Sequence, residues 1–580
     1  MSERLKILLV YTALFAVNLP ISTSAETSRP PNIILVMTDD QGYGDLACTG
    51  NPLLKTPSLD AFYAKSLRLK NFHVSPTCAP TRGALMCGQV TDKAGSWHTI
   101  NGRDYLRKEK ITLPQVLGQN GYSTALFGKW HLGDNYPYRP HDRGFQHALY
   151  HGGGGVGQTP DYFGNKYFDD TYFENGTPKK FKGYCTDVWF SEALAWMEKQ
   201  KDAPFFIYIA PNAPHSPHIV EDKYRDLYPE SYQGKKVPRE FYGMITNIDE
   251  NFAKLCQKLE ELHLMENTIL IFTTDNGSAA GADIYNANMR GKKNSDADGG
   301  HRVPFFMHWP KGNLQGGKDL PELTAHVDVM PTLLAMAGLA FPKTQDQDGL
   351  NLWPLIKGES WPERMLFTDS QRVYIPKKWR GTAVMNTHFR LLNNGTELYK
   401  MDTDPRQEKN VISQFPEMAK KLSDYYDLTW KNLEPSFLEP THIIVGSEFE
   451  NPTVMTAHDW RGDLKDNEVP WDQVHIEAGL LSNGYWEFEC AKDGLYQFTF
   501  SRWPREIQRP ITQGKGFSKA NNIRVKIKAK TMTESFDKDA GEVSFTVPMS
   551  AGLAKCEAEF LADQTPLGGA YYSTITYKGP

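Results

Sequence analysis

Cys78 opens a stretch, Cys78-Ala79-Pro80-Thr81-Arg82-Gly83-Ala84-Leu85-Met86-Cys87-Gly88, in which a small nucleophilic side chain precedes a rigid proline and a fixed cation. Pro80 suits the first turn of a helix, where its missing N–H is no loss. The thiol is thereby expected just ahead of a helix N-terminus, facing unpaired N–H groups and the positive end of the helix dipole. Arg82 adds a permanent forked cation matched to a tetrahedral oxyanion. These types in this order suit attack on an anionic ester. A buried structural cysteine, or a disulfide between Cys78 and Cys87, fits the residue types equally well.

Such a group must be held by rigid elements, and four apolar runs supply them. Asn32 to Met37 leads into Asp39-Asp40, and Ser123 to Phe127 into Gly128-Lys129-Trp130-His131. Pro204 to Ile209 leads towards His215, and Thr268 to Phe272 into Asp275-Asn276. Continuous apolar runs of this length read as parallel strands buried on both faces. In open α/β sheets ligands gather outside the carboxyl ends of the strands, so groups distant in the chain can converge there. Asp39 with Asp40 is a candidate site for a hard cation, or else a solvated turn. With Asp275 and Asn276 added, the donor set is all oxygen and favours Ca²⁺, with Mg²⁺ or Mn²⁺ as alternatives. Between the strands, Asp187 to Lys199 reads as an amphipathic helix, and Met244, Ile248, Phe252, Leu255, Leu259 and Leu262 form one helical stripe. The fold class expected is α/β, a large mixed and mostly parallel sheet flanked by helices. His151-Gly152-Gly153-Gly154-Gly155 lacks the Gly-Lys-[Ser/Thr] ending of a phosphate loop and reads as a surface loop near the pocket mouth.

Cys78-x-Pro80-Thr81-Arg82-x-x-Leu85 closely resembles the signature of the formylglycine-dependent sulfatases, a branch of the alkaline phosphatase superfamily. Gly128-Lys129-Trp130-His131-Leu132-Gly133 is similar to a second hallmark of that family. One position departs from the pattern, Cys87 standing where the family usually has Thr. The resemblance runs from about Pro31 to Pro435. It implies an alkaline-phosphatase-like fold, and oxidation of Cys78 to a formylglycine aldehyde by a maturation enzyme. It further implies a metal held by Asp39, Asp40, residue 78, Asp275 and Asn276, with Arg82 and Lys129 beside the nucleophile. His131 would be the base of the release step. His215, in Pro214-His215-Ser216-Pro217, and Lys293, ahead of Gly299-Gly300-His301-Arg302-Val303-Pro304, would serve the leaving alcohol. The activity implied is release of sulfate from an ester, with sulfated carbohydrate as the substrate class. A phosphomonoester or phosphonate hydrolase would share the metal ligands, and a catalytically dead protein could still bind sulfated glycan.

Composition narrows the field. Hydrophobic residues make up 40% and charged residues 23% of the 580, ordinary for a globular protein. A net charge of −5 leaves no basic footprint for nucleic acid, so an anionic substrate must be drawn by local cations. Arg4, Lys6, the apolar run Ile7 to Leu19 and Thr23-Ser24-Ala25 form a secretory signal pattern over 1–25. An uncleaved anchor is its rival, and the run is short for a bilayer span. The expected location is therefore an exported one, secreted or periplasmic, with no membrane contact after cleavage. Seven cysteines are an odd number for an exported chain, and conversion of Cys78 would leave six. No Cys or His spacing suggests zinc. The catalytic domain is expected over 26–435. From about Ser436 short β-rich runs separated by turns predict an antiparallel sandwich over 436–580, with packing or a pocket rim as its role ahead of glycan binding.

Overall fold

The computed structural model describes residues 29–439 and 441–580; the segment read as a signal peptide lies outside the described residues. No helix among those described is long and apolar enough to cross a membrane.

Ten strands make the main sheet: β1 (Asn32–Thr38), β2 (Leu67–His73), β3 (Ser123–Lys129), β4 (His147–His151), β5 (Thr171–Glu174), β6 (Thr177–Lys180), β7 (Phe205–Ala210), β8 (Thr268–Thr274), β9 (Phe305–His308) and β10 (Lys318–Ala325). Their order is β10-β2-β9-β8-β1-β7-β3-β4-β5-β6. The centre, β8-β1-β7-β3-β4, is parallel throughout, while β9 and the β5–β6 hairpin run antiparallel. The four apolar runs read from sequence are β1, β3, β7 and β8, and they are adjacent apart from order. Both faces are covered, which is why the middles of these strands are continuous apolar runs instead of alternating. Ile33, Leu35 and Met37 of β1 enter one core layer, and Ile34 and Val36 enter the opposite one. The helix Arg239–Glu261 lays Met244, Ile248, Phe252, Leu255 and Leu259 into the second layer, as its stripe predicts.

A four-stranded antiparallel sheet follows, from Leu366–Asp369 to Glu397–Lys400, with the helix Pro416–Phe437 packed on it. Beyond it two further sheets share one core, in which Trp486 faces Phe500 at a 6.3 Å centroid separation and Phe488 faces Phe498 at 5.9 Å. This is the sandwich expected, with one departure. Ile443–Val445 pairs with Trp486–Cys490 in parallel, although every other pairing in the two sheets is antiparallel.

The sandwich is fastened to the catalytic part. Tyr105, Tyr138 and Phe163 are members of its core. Gln473 N donates to Gly157 O at 3.1 Å and Thr159 N to Trp471 O at 2.9 Å. The run 151–155, read as a surface loop, is buried throughout, as is residue 156. It is wedged between the catalytic sheet and the sandwich, a place its sequence could not reveal.

Candidate active site

The helix Cys78–Cys87 begins at Cys78 itself, with Pro80 in its first turn, and all ten of its residues are buried. Cys78 is 2% exposed. No disulfide joins it to Cys87; all seven cysteines are free. Burial pushes its thiol above the ordinary range, so the thiolate, the nucleophilic form of cysteine, is suppressed.

The strand ends converge on this helix start. β1 delivers Asp39 and Asp40, β8 delivers Asp275 and Asn276, and β3 delivers Lys129 and then His131. Lys129 Nζ lies 2.6 Å from Asp39 Oδ2 and Lys293 Nζ 2.6 Å from Asp40 Oδ1. Arg82 reaches Asp275 Oδ2 through Nη2 at 2.6 Å and Nε at 3.0 Å. Asp39, Asp275, Arg82 and Lys129 are fully buried. Burial and the charges of Asp275 and Asp40 push Asp39 well above the carboxylate range, despite Lys129. Burial acts the same way on Asp40, but Lys293 and His215 outweigh it and hold that carboxyl below its usual range. All residues named from the sequence thus meet in one place.

Could these residues hold a cation? Ligand atoms of Asp39, Cys78 and Asp275 lie within 4.8 Å of one another, as do those of Asp39, Asp40 and His215. Asp39 Oδ1 and Asn276 Oδ1 are buried with no hydrogen-bond partner among the described residues. Orphaned buried oxygens are rare and costly. Two of them, where three carboxylates meet, fit a hard divalent ion. Three carboxylates and the three cations Arg82, Lys129 and Lys293 cancel in charge, so a divalent ion would leave the pocket positive towards an anionic ester.

The histidines differ in orientation. His131 Nε2–H donates to Thr99 O at 2.8 Å, which leaves the Nδ1 lone pair facing Cys78 Sγ at 3.4 Å. Burial, reinforced by Lys129, holds the imidazole well below its ordinary pKa and therefore neutral. A neutral ring with its free nitrogen on residue 78 is a base in position. His215 is turned the other way. Its Nδ1 donates to Ser216 O at 2.6 Å, and its Nε2 lies 3.8 Å from Asp40 Oδ2. His131 and Asp40 have positive φ, +59° and +66°, a strained backbone of the kind that clusters at functional sites.

Two glycines make the packing feasible. A β-carbon on Gly128 would lie 2.1 Å from Ala210 O, and one on Gly154 would lie 2.4 Å from His131 Cε1. Gly128 lets β3 pass β7 as it turns towards Lys129, and Gly154 brings the 151–156 segment against the base.

The sulfatase family model matches residues 31–339, more than half the chain and the whole of this constellation. The chain belongs to the sulfatase family. The sulfatase is 29% identical to human N-acetylgalactosamine-6-sulfatase over 423 residues, 66% of this chain and 76% of that protein. It is 30% identical to human arylsulfatase A over 389 residues, 60% and 72% of the two chains. Among solved structures it is similar to Ps i-CgsB, with a TM-score of 0.63 and 28% identity over 71% of this chain and 96% of that one. A second model, N-sulphoglucosamine sulphohydrolase C-terminal, matches residues 295–428. The enzyme is a sulfuric ester hydrolase with the α/β fold of the alkaline phosphatase superfamily.

Two site residues of this sulfatase escape the sequence reading. Arg82 Nη1 donates to the Tyr208 hydroxyl at 2.9 Å, and that hydroxyl lies 3.2 Å from Met37 Sδ. Tyr208 therefore fixes the guanidinium from within β7. It carries the one side-chain polar atom in Phe205-Phe206-Ile207-Tyr208-Ile209, and that was the only available signal. Thr99, whose carbonyl sets the His131 tautomer, acts through its backbone and leaves no trace in sequence.

Proposed function

We propose that this enzyme removes sulfate from sulfated carbohydrate, using a formylglycine made from Cys78 and a Ca²⁺ ion. The observation that carries the reading is the neutral His131 ring aimed at a buried residue 78 amid three carboxylates and three cations. Asp39, Asp40, Asp275, Asn276 and residue 78 would hold the ion, which would supply positive charge against the ester oxygens. Oxidised to the aldehyde and hydrated, residue 78 offers one oxygen as nucleophile and a second hydroxyl through which sulfate can be expelled.

The chain's own groups divide the remaining work. Arg82 and Lys129 steady negative charge beside residue 78. His131 takes a proton at Nδ1 during release. Burial would lower Lys293, but the Asp40 carboxylate 2.6 Å away outweighs it and keeps the ammonium charged, so it can neutralise the departing alkoxide. His215 faces the same side. Burial pulls it down to about 3 against the opposing effect of Asp40, and an anionic ester bound beside it acts in the same direction as Asp40, towards protonation.

Carbohydrate is supported by the relatives. One is an N-acetylgalactosamine-6-sulfatase, and Ps i-CgsB, 26% identical in that structure, has been solved with k-i-k-neocarrahexaose. The proposed organisation is a signal over 1–25, a catalytic unit over 26–435 and a sandwich over 436–580, exported and matured by a formylglycine-generating enzyme. Release of inorganic sulfate from a panel of sulfated mono- and oligosaccharides, run beside phosphate release from matching phosphate esters, tests the reading. Sulfate release from at least one sugar is expected to dominate, and faster phosphate release would replace it with the phosphohydrolase alternative.

The ion has its own test. Asp275→Asn removes a charged ligand and deprives the fully buried Arg82 of its carboxylate partner, a change that costs about 3–5 kcal/mol when a buried pair is broken. Bound calcium measured by atomic emission should vanish, turnover should fall about 10²-fold or more, and the melting temperature should drop. Full turnover after exhaustive chelation would remove the metal from the scheme.

A further inference from the structure

A cavity of about 290 Å³ lies between the catalytic part and the sandwich, on the far side of the 151–156 segment from residue 78. The catalytic part contributes Asp134, Tyr150, Asp161, Tyr162 and Phe173, and the sandwich contributes Glu450, Asp459, Arg505, Glu506 and Tyr572. Ser501, Pro504 and Arg505 also line a second recess of about 570 Å³.

Its chemistry is specific. Tyr150 and Phe173 pack at a 5.8 Å centroid separation and with Tyr162 give the cavity an aromatic wall. The Tyr150 hydroxyl makes no hydrogen bond among the described residues, although the residue is 3% exposed. Five carboxyl groups face two guanidinium groups, those of Arg139 and Arg505. Arg139 is already engaged by Asp142 and Glu450, and Arg505 lies 3.7 Å from Glu542. Both guanidinium groups thus already face a carboxylate, and among the described residues the cavity is lined by no unpaired cation for a sulfate. Burial pushes Asp134 and Glu450 up to about 7 and Asp161 to about 8, which favours hydrogen bonding to hydroxyls over charge pairing. Aromatic faces pack against sugar C–H groups, while convergent polar atoms fix orientation.

We propose that this interdomain cavity is a second carbohydrate site, which takes a sulfate-free sugar residue of the substrate while the scissile ester occupies the catalytic pocket. The proposal rests on the carbohydrate reading above. The site also touches the catalytic wall. Asp134 accepts from Gly153 N at 3.1 Å, and Asp161 accepts from Gly152 N and Gly157 N at 3.2 and 2.9 Å. Gly154 and Gly155, between these anchors, face His131 and His215. A sugar held by the two carboxylates would thus brace the segment that backs both catalytic histidines.

The test uses the full-length mature enzyme and a carrageenan hexasaccharide stripped of its sulfates, titrated by calorimetry. Saturable binding is expected, weakened roughly fivefold by Tyr150→Phe, the loss of about one hydrogen bond. Tyr162→Ala combined with Glu506→Gln should weaken it by more than about tenfold, given an aromatic wall removed and a charge-assisted acceptor neutralised together. In the double variant, KM on a sulfated hexasaccharide should rise relative to KM on nitrophenyl sulfate, and this ratio reports the distal contact. No saturable binding, binding unaltered in both variants, preference for the sulfated over the stripped probe, or displacement of the sugar by calcium chloride alone would overturn the proposal. Because the titration involves no sulfate release, its failure and that of the desulfation assay are read separately.

Discussion

Cys78→Ala should fold normally and lose turnover on nitrophenyl sulfate by about 10⁶-fold, the scale seen when a catalytic nucleophile is removed. The change deletes one buried sulfur at a helix start and no hydrogen bond other than the contact with His131. The stability cost should therefore be small beside the loss of activity. Wild-type protein made without a maturation enzyme should behave almost like the variant, and this is the more informative half of the experiment. Burial suppresses the thiolate at 78, so the unmodified side chain is a weak nucleophile. A thiol also has a single ionisable atom. It can attack once, but offers His131 no second proton with which to drive release. Active enzyme should therefore label with an aldehyde-reactive hydrazide, in proportion to turnover across preparations, and peptide mass spectrometry should place the label at residue 78. A fully active preparation carrying only the intact thiol would refute the scheme. Cys87, buried at the other end of the helix with its thiol pushed up to about 11, should remain unlabelled.

The convergence of the candidate site was legible because its residues sit where continuous apolar strands stop. Asp39, Asp40, Lys129, His131, Asp275 and Asn276 each follow such a strand within a few residues, and sheet geometry does the rest. Lys293 and His215 lie on loops, and only the family pattern singled them out. Strand character in the sandwich is legible where β-branched and aromatic residues dominate, as in the runs 523–527 and 543–547, which lie inside the strands Asn522–Ile527 and Glu542–Met549. It was missed at Gly552–Ala562, whose Leu553, Ala554, Lys555, Glu557 and Ala558 are strong helix formers. There tertiary pairing on both sides overrides local propensity, and burial alternates with period two along the strand. The sheet spanning 366–400 was missed for a different reason. Its strands are four residues each, too short for any period to declare itself. The glycine run was misjudged because glycine is common in surface loops and equally suited to close approach. Nothing local told the two apart, since the deciding partners, the His131 ring and the sandwich, are remote in sequence.

Substituting His215 should damage catalysis selectively. Its Nε2 faces the Asp40 side of the pocket, where the leaving alcohol would depart. A sugar alkoxide needs a proton as it leaves, whereas a nitrophenolate hardly does. General acid catalysis is typically worth about 10²–10⁴-fold, so His215→Ala should lose that much on a sugar sulfate and far less on nitrophenyl sulfate. Lys293 supplies charge to either leaving group and cannot by itself produce this selectivity. His131 provides the contrast. Its free nitrogen is directed at residue 78, whose release of sulfate both substrates share. His131→Ala should therefore lower kcat to a similar value on both, levelling the rates that wild-type enzyme keeps apart. The His215 ring starts neutral, held at about 3 by burial in the absence of ester. Its protonation must come with substrate, so kcat on a sugar sulfate should fall as pH rises through a pKa well above that value, and this alkaline limb should disappear in His215→Ala. Equal losses on the two substrates for His215→Ala, with the alkaline limb retained, would transfer the proton donation to Lys293 and leave His215 a binding role.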